Sequence, residues 1–125
     1  MLAAALSVPA PITFSGSFTK TAAPSGGYVT SDTITLTVPA GNSGSLRIAY
    51  GTTVGTIAGL EYSKNAAGFV AWTDASDVTF ANGDTLAIRA GGAGGGAIIA
   101  GESQAFTLND NTRSITSSSY TITGS

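Results

Sequence analysis

Apolar and polar residues alternate along most of this chain, and short turn motifs interrupt the alternation. In the segment 33–38, Ile34, Leu36 and Val38 point to one side, whereas the threonines between them point to the other. A period of two is the geometry of a β-strand, in which successive side chains lie on opposite faces. The segment is therefore predicted to be a strand with one buried face and one threonine face.

The same alternation recurs in other segments, which are 12–20, 45–50, 68–74, 84–90, 103–110 and 119–124. Turn motifs rich in Gly, Pro, Asn and Asp separate them, and no segment keeps a helical period. Many short strands with regular turns indicate a β-sandwich or small barrel of about seven to nine strands. We expect Trp72 at the centre of the core, with Val70 on the same face. Gly16 indicates a bulge or a close crossing.

The length of 125 residues predicts a single domain. We assign 12–125 to the sandwich and 1–11, which is rich in Ala and Pro, to an extended N-terminal arm. The apolar run Leu2–Leu6 is short and no Lys or Arg precedes it, so we expect no export signal of the usual kind and no membrane span. The segment 114–125 is uncharged and β-prone. A strand of this kind is expected to be covered in an assembly or to lie inside a sheet.

The charge and composition of the chain exclude several classes of function. Only 10% of the residues are charged, and Lys and Arg together number 5, which is too few to neutralise many phosphates. We therefore expect no nucleic-acid partner. The chain has no Cys and no His, so the usual ligands of zinc, copper, haem and iron–sulfur sites are missing. Ser-His-Asp and Cys-His mechanisms are excluded for the same reason. We expect no cofactor.

The glycine-rich stretch Arg89–Glu102, RAGGAGGGAIIAGE, contains a possible nucleotide motif. Gly92, Gly94 and Ala97 match the spacing of a dinucleotide-binding loop, and Asp110 follows at a suitable distance. Such a loop needs a helix directly after the glycines, and a phosphate loop of the other common type needs a Lys. The stretch leads instead into strand alternation. It is predicted to be a mobile connection between two strands.

Oxygen-bearing side chains offer two further candidate sites. Calcium ligands could come from neighbouring turns, namely Asp74, Asp77, Asn82 and Asp84. The spacing of a calcium loop is absent, so solvated turn residues are the preferred interpretation. A glycosidase would need a pair of carboxylates, but the only glutamates, Glu61 and Glu102, lie in segments with strand patterning. We therefore expect no enzymatic activity.

Exposed aromatic side chains could stack on sugar rings. Tyr28, Tyr62 and Phe69 are the candidates if they face outward. The preferred interpretation is that they fill the core or an interface, because the chain has few aromatic residues and a sandwich core uses most of them.

Two stretches carry a resemblance to a known family. LTVPAGNSGSLRIAY is followed by a Trp-bearing segment, GFVAWTDASDVTFANGDTLAIRA, in which Gly83 and Asp84 turn the chain into a strand that carries Arg89. This pattern, within Tyr28–Ala90, resembles the small immunoglobulin-like β-sandwich domains of tailed-bacteriophage virion proteins. The resemblance implies an antiparallel, immunoglobulin-like sandwich that acts by binding surfaces on a capsid, tail or fibre. It implies no catalytic residues.

The function predicted from the sequence is structural. We expect a capsid decoration or cement protein that binds major capsid or other virion proteins by surface complementarity, and that is located in virions assembled in the host cytoplasm. A homo-oligomer is expected, with a trimer favoured. The alternatives are a tail or fibre component and a carbohydrate-binding β-sandwich module. The predicted contact residues lie in the arm, the glycine stretch and the last strand: Leu2, Leu6, Val8, Ile12, Gly94, Ile98, Ile99, Tyr120 and Ile122.

Overall fold

The computed structural model describes residues 9–93, 96–113 and 116–125. These residues form strands and turns. The strands are β1 (Thr13–Phe14), β2 (Lys20–Ala22), β3 (Tyr28–Thr30), β4 (Ile34–Thr37), β5 (Ser45–Val54), β6 (Ile57–Lys64), β7 (Phe69–Ala71), β8 (Asp77–Thr79), β9 (Thr85–Gly92), β10 (Ser103–Asp110) and β11 (Thr116–Gly124). The number of strands exceeds the expected seven to nine because several are short pieces of two or three residues. In the described part of the chain, no helix is long and apolar enough to cross a membrane.

The strands form two sheets. The first sheet has the order β1-β4-β9-β6-β7, and β3 pairs with β9 beside β4. The second sheet has the order β2-β11-β10-β5-β8. All pairings between neighbouring strands are antiparallel except that of β2 with β11. In an immunoglobulin-like sandwich, strands A, B, E and D form one sheet and strands G, F and C form the other. The order β1-β4-β9-β6 corresponds to A-B-E-D, and the order β11-β10-β5 corresponds to G-F-C. The prediction of an all-β sandwich is confirmed.

The core lies between the sheets and is built by the apolar residues of the alternating segments. Leu36, Ile48, Leu86, Ile88 and Ile122 have no exposed side-chain surface. Trp72 is 1% exposed, as predicted, and packs against Tyr62 with the ring centroids 5.0 Å apart. A second aromatic cluster consists of Phe14, Phe18, Phe106 and Tyr120.

Of two residue-level predictions, the one for Gly16 is confirmed and the one for Val70 is not. Gly16 lies at a close crossing, as expected, because a Cβ there would come within 3.1 Å of Ile34 Cδ1. The prediction that Val70 shares the buried face of Trp72 is wrong, since Val70 is 53% exposed. Val70 lies on β7, the edge strand of the first sheet, where little of the fold covers it.

The last strand lies inside a sheet. β11 pairs with β10 along most of its length and with β2 at Ile122, Thr123 and Gly124, so its C-terminal part lies between two strands. The second of the two expectations is confirmed for this part of the C-terminal segment. The edges of the two sheets are instead formed by β1, β7, β2 and β8, none of which exceeds three residues. Short edge strands limit pairing with other chains.

Candidate functional site

Four of the predicted contact residues belong to the core. Ile12 is 5% exposed, Ile98 1%, Tyr120 8% and Ile122 0%, so their side chains stabilise the fold and are not available to a partner. Assigning them to a contact surface was wrong, because alternation marks apolar residues without showing what covers them. Among the predicted contact residues that the structure describes, Ile99 is the exposed one, at 63%. Leu2, Leu6, Val8 and Gly94 lie outside the described residues.

The glycine stretch connects two strands, as predicted. β9 ends at Gly92 and β10 begins at Ser103, and the described residues between them form no helix that could bind a pyrophosphate. Glu102 fixes the turn that enters β10, since its carboxylate accepts the N–H groups of Ile99 at 2.9 Å and Thr56 at 2.6 Å. These backbone donors hold the pKa of Glu102 below its ordinary value.

Three of the residues considered as calcium ligands accept hydrogen bonds from different backbone N–H groups. Asp74 accepts the Tyr50 N–H at 2.8 Å, Asp84 accepts the Ala81 N–H at 2.8 Å, and Asn82 accepts the Val38 N–H at 3.0 Å. No three acidic side chains come together in the described parts of the chain. Glu61 and Glu102 are likewise held by different partners, Arg89 and two backbone N–H groups.

The central part of the outer face of the second sheet carries short, uncharged side chains. Its centre is Thr107 of β10, which lies opposite Ser119 of β11 and Ala49 of β5. The neighbouring outward positions are also small or hydroxyl-bearing: Ser103, Ala105, Ser117, Thr121, Thr123 and Thr21. We call this surface the hydroxyl face. It can make many neutral hydrogen bonds with little desolvation of charge.

One ion pair borders the hydroxyl face. Arg47 of β5 donates to both carboxylate oxygens of Asp77 of β8, at 2.8 and 3.2 Å, and Asn111 donates to the same carboxylate at 3.0 Å. The guanidinium holds the pKa of Asp77 below its ordinary value, and the Asn111 amide adds to the effect. The two charges cancel, so the border of the face also carries no net charge.

The outer face of the first sheet carries a stacked cluster. The Arg89 guanidinium lies between two rings, with its Cζ atom 3.7 Å from the Tyr28 centroid and 4.1 Å from the Phe69 centroid. Its Nε donates to Glu61 Oε1 at 2.7 Å. Arg89 and Glu61 are directly opposite on β9 and β6, and the rings lie on the flanking strands β3 and β7. Cation–π and ion-pair contacts therefore hold all four side chains in one arrangement.

A groove lies on each side of the stacked cluster. The first has a volume of about 480 Å³ and is lined by Tyr28, Tyr50, Glu61, Asp74 and several small residues. The second has a volume of about 330 Å³ and is lined by Phe69 and residues with short side chains. Both volumes fall within the range of small-molecule sites.

Of the aromatic residues considered for sugar stacking, two belong to the cluster. Tyr28 and Phe69 are partly exposed on the outer face, whereas Tyr62 packs against Trp72. Sequence patterning placed Arg89 on an outward face but did not bring it to Tyr28, Phe69 or Glu61. That convergence depends on the order β3-β9-β6-β7, which a period of two does not contain.

No protein-family model matches the sequence, and no curated protein is significantly similar to it. The resemblance to virion domains therefore stays a prediction.

Proposed function

We propose that this chain is a non-catalytic structural protein of a phage virion, a capsid decoration or cement protein that binds by surface complementarity. The observation that carries the proposal is the hydroxyl face, an uncharged surface that spans β11, β10 and β5. A protein that coats a repeating shell needs a contact surface of low relief, and the Ser, Thr and Ala side chains around Thr107 are short.

Multivalency explains how a neutral surface of this kind could hold the protein on a particle. Each copy contributes a weak contact, and copies that are linked to one another or to a symmetric shell bind with much higher avidity. We also propose a homo-oligomer, with a trimer favoured. Sedimentation equilibrium of the purified chain tests this part, since a strict monomer at high concentration would contradict it.

The experiment is co-sedimentation of the purified chain with particles of the phage that encodes it. Wild-type protein is expected to pellet with the particles. Thr107→Lys places a charge and a long side chain at the centre of the hydroxyl face, and we expect it to lose binding without losing the fold. Desolvating an unpaired ammonium in the contact is the physical reason.

The matched control is Thr37→Lys. Thr37 is exposed on β4, which belongs to the first sheet, and this variant is expected to bind like wild type. Equal binding by both lysine variants would exclude the hydroxyl face as the contact. A wild-type chain that never pellets with the particles would overturn the proposed function itself.

A further inference from the structure

The first groove has the features of a site for a small ligand with hydroxyl groups. It lies at an irregularity of β6, where the pairing with β9 shifts between Ile57 and Leu60. Bulges of this kind are frequent beside binding sites because they redirect side chains and open the sheet. Here the bulge places Gly59 at a φ of 115°, a conformation that favours glycine.

Small residues make the floor of the groove. A Cβ on Gly91 would come within 2.7 Å of the Tyr28 ring, and a Cβ on Gly59 would meet Tyr50 Oη at 3.4 Å. Ala58 and Ala71 continue the floor. The two tyrosines therefore pack closely against positions that carry no side chain, and larger residues at Gly59 and Gly91 would collide with them or fill the groove.

The wall formed by Tyr28 is rigid. One face of its ring is covered by the Arg89 guanidinium, and the same ring lines the groove. Arg89 is itself fixed by Glu61 and Phe69. A ring that is already held in place loses little conformational entropy when a ligand stacks on it.

Two carboxylates face the same groove with unused acceptor capacity. Glu61 Oε1 accepts from Arg89, and Asp74 Oδ1 accepts the Tyr50 N–H at 2.8 Å. Within the described part of the chain, the second oxygen of each carboxylate has no hydrogen bond. Each carboxylate is therefore oriented by one contact and keeps an acceptor for a ligand.

From this arrangement we propose that the first groove binds a neutral pyranose sugar. The apolar C–H face of the sugar stacks on Tyr28, whose ring face is electron-rich, and the sugar hydroxyls donate to Glu61 and Asp74. A cationic ligand fits less well. The Tyr28 ring already carries a guanidinium on its other face, and Glu61 is already neutralised by Arg89.

The groove and the hydroxyl face share no residue, so this inference does not depend on the proposed function. A decoration protein with both surfaces would bind the shell through the hydroxyl face and a glycan through the groove. Failure in particle binding and failure in sugar binding are separate results.

The test is titration of the ¹⁵N-labelled chain with maltohexaose, cellohexaose and chitohexaose at millimolar concentration, followed by amide shifts. At least one hexamer is expected to shift the amides of Gly59, Asp74 and Gly91. Tyr28→Ala is expected to weaken binding roughly tenfold, since it removes the stacking surface. Asp74→Asn retains an oxygen for the Tyr50 N–H and removes the charge, and we expect a similar loss of affinity with an unchanged fold.

Asp32→Asn is the matched control, because Asp32 is exposed, pairs with Lys20 and does not line the groove. It is expected to bind sugar like wild type. Absence of shifts with all three hexamers would overturn the proposal, as would equal affinity of wild type and Asp74→Asn. Nα-acetyl-lysine methylamide, which keeps its side-chain ammonium, tests for a cation site. If it binds more tightly than any hexamer, the proposal of a sugar site is also overturned.

Discussion

Asp110 has an unusual position for an aspartate, because it is 3% exposed at the end of β10. Its Oδ2 accepts the Ile12 N–H at 2.9 Å and the Asn42 side-chain amide at 2.8 Å, and its Oδ1 accepts the Thr112 N–H at 3.0 Å. One carboxylate thus joins the segment before β1, the turn before β5 and the turn after β10. Buried charge is tolerated when it is hydrogen-bonded in this way.

We expect Asp110→Ala to lower the free energy of unfolding by about 3 kcal/mol, because it leaves three donors without their acceptor in a mostly buried site. Urea unfolding followed by the fluorescence of Trp72, the only tryptophan, measures the change. Asp32→Ala is the control. Its side chain is 71% exposed and pairs with Lys20 at the surface, so the expected loss is below about 1 kcal/mol. Equal losses in the two variants would show that the Asp110 contacts do not stabilise the fold.

At the level of the strands, alternation predicted the inward residues well and their surroundings poorly. Leu46, Ile48, Phe106 and Leu108 are buried as expected, because a period of two assigns faces directly. It says nothing about which strands become neighbours. The stacked cluster was therefore not predictable, since Tyr28 and Arg89 meet only when β3 pairs with β9.

The turn before β5 depends on glycine for a reason that alternation also does not show. Gly44 has a φ of 79°, and a Cβ at this position would overlap the carbonyl oxygen of Phe80. The two residues are joined by a hydrogen bond from Phe80 N to Gly44 O at 2.9 Å. The backbones of the two turns must therefore lie in direct contact.

We expect Gly44→Ala to destabilise the protein by more than about 3 kcal/mol, because the overlap adds to the cost of a positive φ. Gly83→Ala separates the two effects. Gly83 has a φ of 88°, but a Cβ at this position would have no atom within 4 Å, so only the conformational cost of about 1 kcal/mol applies. Thermal unfolding of both variants gives the comparison. A Gly44→Ala variant no less stable than Gly83→Ala would contradict the close contact.

For the molecule as a whole, three carboxylates add hydrogen bonds within turns and between strands and turns. Asp77 links β8 to β5, Asp84 accepts from Ala81 and Asn65, and Glu102 joins the turn before β10 to the turn between β5 and β6. Hydrogen bonds to the charged form lower the pKa of each of these groups. A folded-state pKa below the unfolded value means that the unfolded chain binds protons more readily.

Stability should therefore be greatest above the ordinary pKa values, 3.8 for aspartate and 4.5 for glutamate, and fall as the pH drops through them toward the lowered folded-state values. We expect the urea midpoint to be nearly constant near neutral pH and to decrease steadily below about pH 4.5. Glu102→Gln and Asp84→Asn should each be less stable than wild type at neutral pH and show a shallower acid decrease, because each removes one titrating group. An acid decrease of the same steepness in wild type and both variants would show that these carboxylates do not cause it, and that the acid sensitivity arises from other groups.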